Sequence, residues 1–146
     1  EDSEATITLS EKNLFSVTFD KKAGVMTSLK KDGVERLLSG PIPNFWRAPI
    51  DNDFGNNLHI RSRVWRKAGE TRKVTNVSVA EIKKDAIKVT FDFELVDEEN
   101  KPIGTYKTEY TVYGTGDIIV DKHFKMTKKD LPEIVRMGMN LQMPRN

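Results

Sequence analysis

Cysteine is absent from the 146 residues of the chain, and histidine occurs only twice, at His59 and His123. The first absence excludes disulfides, thiol catalysis and thiolate metal sites. The second leaves too few imidazoles for a histidine-rich metal centre, so neither metal nor cofactor is expected. Apolar runs are only a few residues long, which excludes a transmembrane helix. An excess of one charge is also missing. Lys and Arg number 24 against 22 Asp and Glu, a formal net charge of +2, which gives no reason to expect nucleic acid or a membrane as partner. The N-terminus lacks the basic, apolar, small-residue order of a signal peptide; Glu1-Asp2-Ser3-Glu4 reads instead as a cut end. No Gly-rich phosphate loop, Gly-x-Ser-x-Gly elbow or nucleophile–base pairing occurs either. The length fits one domain, residues 1–146.

What is present is alternation. Thr6-Ile7-Thr8-Leu9-Ser10 and Phe15-Ser16-Val17-Thr18-Phe19-Asp20 switch between polar and apolar at every step, the pattern of half-buried strands. Asp20 to Gly24 is a turn in which Gly24 supplies a positive φ. Lys31-Asp32-Gly33 lies between two apolar runs, Val25–Leu29 and Val34–Leu38, and marks a hairpin. Longer strands follow at 74–82, 87–95, 104–113 and 118–126, with a last one from about 134 to 143. Within 87–95 the apolar residues take every odd number, and Tyr106, Tyr110 and Val112 share a face. The charged turn Asp97–Pro102 reads as a solvated hairpin loop. The expected class is therefore all-β. One stretch departs from it: Leu58, Arg61, Val64 or Trp65, and Ala68 recur at helical spacing, with Gly69 as C-cap, so one short helix is expected near 58–68.

Residues 39–57 fit neither period. Three of the six prolines (Pro41, Pro43, Pro49) lie here, beside Phe45, Trp46, Arg47, Asp51, Asn52 and Asp53. Prolines and aromatics make a rigid, irregular loop, and long irregular loops in compact domains are commonly functional. On an extended chain Asp51 and Asp53 would share one face, roughly 7 Å apart. That spacing suits sugar hydroxyls, a hard cation or a pair of glycosidase carboxylates. It equally suits carboxylates that accept backbone N–H groups in a tight turn and pair with Arg47. Asp-Asn-Asp-Phe-Gly matches only the start of a calcium loop and lacks its closing glutamate. Elsewhere His123 is expected in solvent, the basic series Arg61, Arg63, Arg66, Lys67, Arg72, Lys73 reads as a solvated face balanced by acids at 92–99, and Asn76-Val77-Ser78 is a formal glycosylation sequon.

The run Asn44-Phe45-Trp46-Arg47-Ala48-Pro49-Ile50-Asp51-Asn52-Asp53-Phe54-Gly55 resembles the C-terminal small-chain domain of the large bacterial β-galactosidases of glycoside hydrolase family 2. Trp65-Arg66-Lys67-Ala68-Gly69, Lys107 to Tyr113 and Met137-Gly138-Met139-Asn140-Leu141 support it, in matching order over nearly the whole chain. The resemblance implies an antiparallel β-supersandwich similar to galactose mutarotase, present here only in its N-terminal part. It implies an enzyme that hydrolyses terminal β-galactosides such as lactose with retention. Its two catalytic glutamates sit in a barrel absent from this sequence, so no catalytic residue is expected here. Arg47, Asp51, Asn52, Asp53 and Gly55 would support the mouth of the substrate cleft. The family's mobile loop would span Gly55, Asn56, Asn57, Leu58 and His59, in a shorter form. The implied partners are the remainder of the β-galactosidase chain and, through it, the galactoside, with a homo-oligomer left open. The implied source is bacterial, with cytoplasm and periplasm both open. Two other readings compete. A stand-alone carbohydrate-binding module would stack sugars on Trp46, Trp65 or Tyr106; a mutarotase would need a histidine acid and a glutamate base in one cleft.

Overall fold

In the computed structural model, which describes residues 1–12 and 14–145, the strands fall where alternation places them. β1 (Thr6–Glu11), β2 (Phe15–Asp20), β3 (Val25–Lys31) and the two-residue β4 (Val34–Glu35) form an antiparallel sheet in sequence order. β6 (Lys73–Lys83), β7 (Ala86–Val96), β8 (Pro102–Tyr113) and β9 (Ile118–Met126) form a second antiparallel meander. Between them in sequence lie β5 (Ser39–Asn44), α1 (Asp51–Gly55), α2 (Leu58–Arg61) and a 3-10 turn over Arg63–Trp65. β5 pairs antiparallel with β10 (Gly138–Gln142) as a separate two-stranded sheet. Among the described residues no helix is long and apolar enough to cross a membrane.

Period-two patterning decides which faces meet. On β7 the odd-numbered Val89, Phe91, Phe93 and Leu95 are buried, and on β8 the even-numbered Tyr106, Tyr110 and Val112 face the same way. β2 supplies Phe15, Val17 and Phe19 from the first sheet. Phe19 joins the two sheets, its ring centroid 4.9 Å from that of Tyr110 and 6.1 Å from that of Phe91. Each such buried aromatic contributes about 1.5–3 kcal/mol. The packed core pushes the Tyr106 phenol up to about 12 and that of Tyr110 higher still, chiefly by burial. β6 shows how a mismatched pattern is reconciled: Val74 and Val77 differ in phase, and a bulge between Val74 and Asn76 turns both toward the core.

Turn chemistry follows the sequence at Gly24 and at Asp32-Gly33. Gly24 has φ +61°, and a Cβ there would stand 2.4 Å from the Phe93 ring. Asp32 and Gly33 have φ 52° and 76°, the left-handed pair of a tight hairpin. Arg72 locks the Gly24 turn to the second sheet: its guanidinium donates to the carbonyls of Ala23 (2.9 Å) and Gly69 (2.7 Å) and lies 5.1 Å from the Phe93 ring centre.

Four expectations need correction. Residues 58–68 are not one helix, because Ser62 (φ −98°, ψ 10°) leaves the helical region and the chain restarts as the 3-10 turn that drives Trp65 into the core. Gly69 is not needed as a C-cap. A Cβ there would meet the Pro43 carbonyl oxygen at 1.8 Å, so glycine is required for close approach to β5. Ser39–Asn44, expected to be irregular, is a strand, and the final strand is limited to Gly138–Gln142. Local period cannot reveal a strand with two prolines whose partner lies nearly a hundred residues away.

Candidate functional site

Phe45 anchors the segment that carries the sequence's candidate residues. Its buried ring lies 6.0 Å from Trp65, 5.8 Å edge-on to Tyr106 and 5.4 Å from Phe124, measured between centroids. Just before it, Asn44 Oδ1 accepts the Trp46 N–H at 3.0 Å, and Asn44 Nδ2 donates to Asn140 Oδ1 at 3.2 Å. The exit of the chain from the core is therefore fixed before Arg47 is reached.

Arg47 then grips the start of α1. Its Nη1 donates to Asp53 Oδ2 at 2.5 Å and to the Ala48 carbonyl at 3.1 Å, while Nη2 donates to Asp53 Oδ1 at 3.1 Å. Asp53 Oδ2 also accepts the Ile50 N–H at 2.8 Å. A fork-to-fork arginine–carboxylate pair fixes orientation as well as charge. The carboxylate reaching back from the third helical position satisfies one of the N–H groups a helix start leaves open. The Arg47 guanidinium, then the Ile50 N–H, then the nearby Arg61 charge hold the Asp53 carboxyl below the ordinary aspartate value, against the opposing effect of burial. The bond to Asp53 in turn raises the Arg47 guanidinium above its ordinary value.

Asp51, Asn52 and Gly55 sit on the same short helix and are all exposed, whereas Asp53 is 5% exposed. The extended arrangement expected for Asp51 and Asp53 is not found: helical backbone turns one carboxylate inward and the other out. Of the readings left open for this triplet, the turn-forming carboxylate paired with Arg47 describes Asp53. Among the described residues no group of three or more His, Asp or Glu is placed to hold a metal ion.

A second clasp, missed in the sequence, closes the far side. Arg61 Nε and Nη2 donate to Glu133 Oε1 at 3.0 and 2.5 Å, and Nη1 donates to the carbonyl and side-chain oxygens of Asn56. The Arg61 hydrogen bond holds the Glu133 carboxyl below its ordinary value. Trp65 Nε1 donates to the Pro132 carbonyl at 3.0 Å. Arg61 belongs to the basic series that reads in the sequence as a solvated face, and nothing local signals Glu133 as its partner. Residues 55–59, assigned to a loop by the resemblance, are thus the junction of α1 and α2, with Asn57 in the left-handed region (φ 59°) and the Phe54 and His59 rings 4.7 Å apart.

Trp65 and Tyr106 are core residues and offer no ring to a sugar; Trp46 is half-buried. His123 does meet a glutamate, Glu109, at 3.5 Å. That pair lies on the outer face of the second sheet with the imidazole exposed, not in a cleft.

Comparison with known proteins identifies the family. Residues 10–146 match the family described as beta galactosidase small chain. The chain is 35% identical over 140 residues to a protein named beta-galactosidase from Priestia megaterium, covering 96% of this chain and 13% of that protein. It is 31% identical over 132 residues to a beta-galactosidase from Halalkalibacterium halodurans, covering 89% and 13%. To the beta-galactosidase small subunit of Latilactobacillus sakei it is 26% identical over 149 aligned positions, 89% of this chain and 46% of that subunit. The chain thus spans about an eighth of the length of the first two relatives and under half of the third. With all but its first nine residues inside the match, the chain belongs to the β-galactosidase small-chain family.

Proposed function

We propose that this chain is an accessory part of a β-galactosidase acting on terminal β-D-galactosides with retention, and that residues 45–61 shape the mouth of its active site. In this reading the 146 residues are one domain, the N-terminal part of a galactose mutarotase-like supersandwich. The acid/base and nucleophile glutamates belong to a barrel elsewhere in the enzyme. The chain alone is inert, and its partner is the rest of the enzyme.

The observation that carries the reading is the Arg47–Asp53–Ile50 clasp inside a small-chain family match. A forked ion pair that tucks its carboxylate away and leaves the guanidinium partly exposed fixes orientation within a surface loop. It is well suited to holding Asp51, Asn52 and Gly55 rigidly at a surface where another domain or a sugar must meet them. Arg47 and Asp53 act as positioning residues; Asp51 and Asn52 make the outward contacts.

The test is galactoside hydrolysis by the longer polypeptide that contains these residues. Asp53→Ala should lower kcat/KM by about tenfold or more through misplacement of the mouth, while Asp51→Ala should act mainly on KM. Wild-type kinetics in both variants would overturn the assignment of these residues. Hydrolysis by the 146-residue chain alone would overturn the accessory role.

A further inference from the structure

The connection from β9 to β10, residues 127–137, forms neither helix nor strand, yet its middle is held in place. Leu131 and Ile134 pack against the core, and the Pro132 carbonyl accepts the Trp65 Nε1–H at 3.0 Å. Glu133 stands between these anchors with its carboxylate at Arg61.

The segment that meets it has little else to hold it. α1 and α2 are five and four residues long, too short to persist as isolated helices. α2 buries none of its residues, and its capping residue Asn57 makes no side-chain bond to it. The left-handed backbone at Asn57 is one that asparagine tolerates without enforcing. The Phe54–His59 ring contact joins the two helices to each other and not to the sandwich.

Arg61 supplies the missing tie. Its Nε and Nη2 donate to Glu133 Oε1 at 3.0 and 2.5 Å, and its Nη1 donates to both the carbonyl and the side-chain oxygen of Asn56. Asn56 Oδ1 in turn accepts the Leu58 N–H at 3.0 Å. One guanidinium thus links the end of α1, both ends of α2 and the anchored connection. Among the described residues, no other side-chain hydrogen bond or ion pair runs from residues 54–61 to the rest of the chain. Both partners are about half exposed, and pairs of this kind contribute little to stability. A planar fork committed to two partners specifies a position instead.

We propose that Arg61, anchored on Glu133, is a positioning residue for galactoside binding: it fixes residues 54–60 in one arrangement at the mouth of the substrate cleft. The inference rests on the reading of residues 45–61 as that mouth and goes past it, because neither Arg61 nor Glu133 has to touch the sugar. The bond-breaking groups lie elsewhere in that reading, so loss of the tie acts on substrate binding and spares the chemical step.

The test uses the longer polypeptide that contains these residues. Arg61→Ala and Glu133→Ala should each raise KM for a β-galactoside about fivefold to tenfold and leave kcat within about twofold. The double variant should match the single ones, because all three cut the same tie. Arg61→Lys should not restore KM, since one ammonium cannot span Asn56 and Glu133 as the fork does. The melting temperature should stay within about 2 °C of wild type. Hydrogen exchange over residues 55–61 should quicken about tenfold, while β7 exchanges as before.

Unchanged KM in both single variants overturns the inference, as do effects that add in the double variant or a wild-type KM in Arg61→Lys. A loss confined to kcat overturns it by placing the pair in the chemical step, and a large fall in melting temperature by making the pair structural. Unchanged exchange over 55–61 overturns it without reference to activity. A wild-type polypeptide that hydrolyses no galactoside overturns the proposed function itself, whereas hydrolysis with KM unmoved by the variants overturns this inference alone.

Discussion

The β2–β7–β8 core and the segment 45–65 are held by different means. In the first, Phe19, Phe91, Phe93 and Tyr110 pack ring against ring, and no ion pair crosses the interface they form among the described residues. In the second, two anchor rings, Phe45 and Trp65, fix the ends, and the stretch between them is tied by Arg47–Asp53 and Arg61–Glu133. Area burial is non-directional and tolerant, whereas a forked ion pair specifies orientation and depends on pH and salt. The sandwich is built to stay together, and the segment to hold a shape.

The strongest way to break the comparison is to remove an anchor. Trp65→Ala deletes a side chain with no exposed surface and should cost about 3–5 kcal/mol, read as a fall in the urea midpoint. If the segment were independent of the sandwich, its near-ultraviolet signal would be lost at a lower denaturant concentration than the far-ultraviolet β signal; coincident loss shows one cooperative unit. Gly69→Ala comes next. The methyl would collide with the Pro43 carbonyl, and overpacking of this kind costs about 1–3 kcal/mol; an unchanged melting temperature would refute the close approach.

Asp53→Asn keeps the shape and removes the charge, so it should destabilise less than Gly69→Ala and do so in a salt-sensitive way. It also sharpens the pH dependence. Asp53, Glu133, Asp97 and Glu35 all titrate below their ordinary values of 3.8 and 4.5. For Glu35 the largest influence is burial, which raises its value, but the bonds from Ser28, Leu29, Leu37 and Arg36 together outweigh it. Folded values below unfolded ones mean stability that is complete above about pH 4.5 and lost as pH falls through the folded values. Melting temperature should accordingly be level from pH 7 to 5 and drop below, with a shallower drop in Asp53→Asn. The smallest effect belongs to the outer face of the second sheet, where His123→Ala should change stability by less than about 0.5 kcal/mol.

The same division explains what could be read in the sequence. β2, β7 and β8 were legible because burial on one face imposes strict alternation, and the Asp32-Gly33 turn because only certain residues accept left-handed backbone. Arg47 with Asp53 was legible as one of several arrangements, since the residues lie six apart. Its helical geometry was not, because prolines at 41, 43 and 49 suggested extended chain. β5 with β10, Arg61 with Glu133 and Trp65 with Pro132 depend on tertiary proximity that no local pattern encodes. The short helix expected near 58–68 is found as α2 but ends at Arg61 rather than running on, the burial of Trp65 overriding helical spacing.

Those distant ties set an order of events. Trp65 reaches Pro132 across 67 positions, Arg61 reaches Glu133 across 72, and Asn44 reaches Asn140 across 96. The hairpins β6–β7, β7–β8 and β8–β9 close over a few residues each. Long loops are costly to close before other contacts reward them, so the meander is expected to form first and residues 45–65 to dock on it last. In stopped-flow refolding, the β-sheet circular dichroism should then lead the tryptophan fluorescence. The part of the molecule proposed to meet the substrate would be the last to arrive and, by the same barrier, the first to leave.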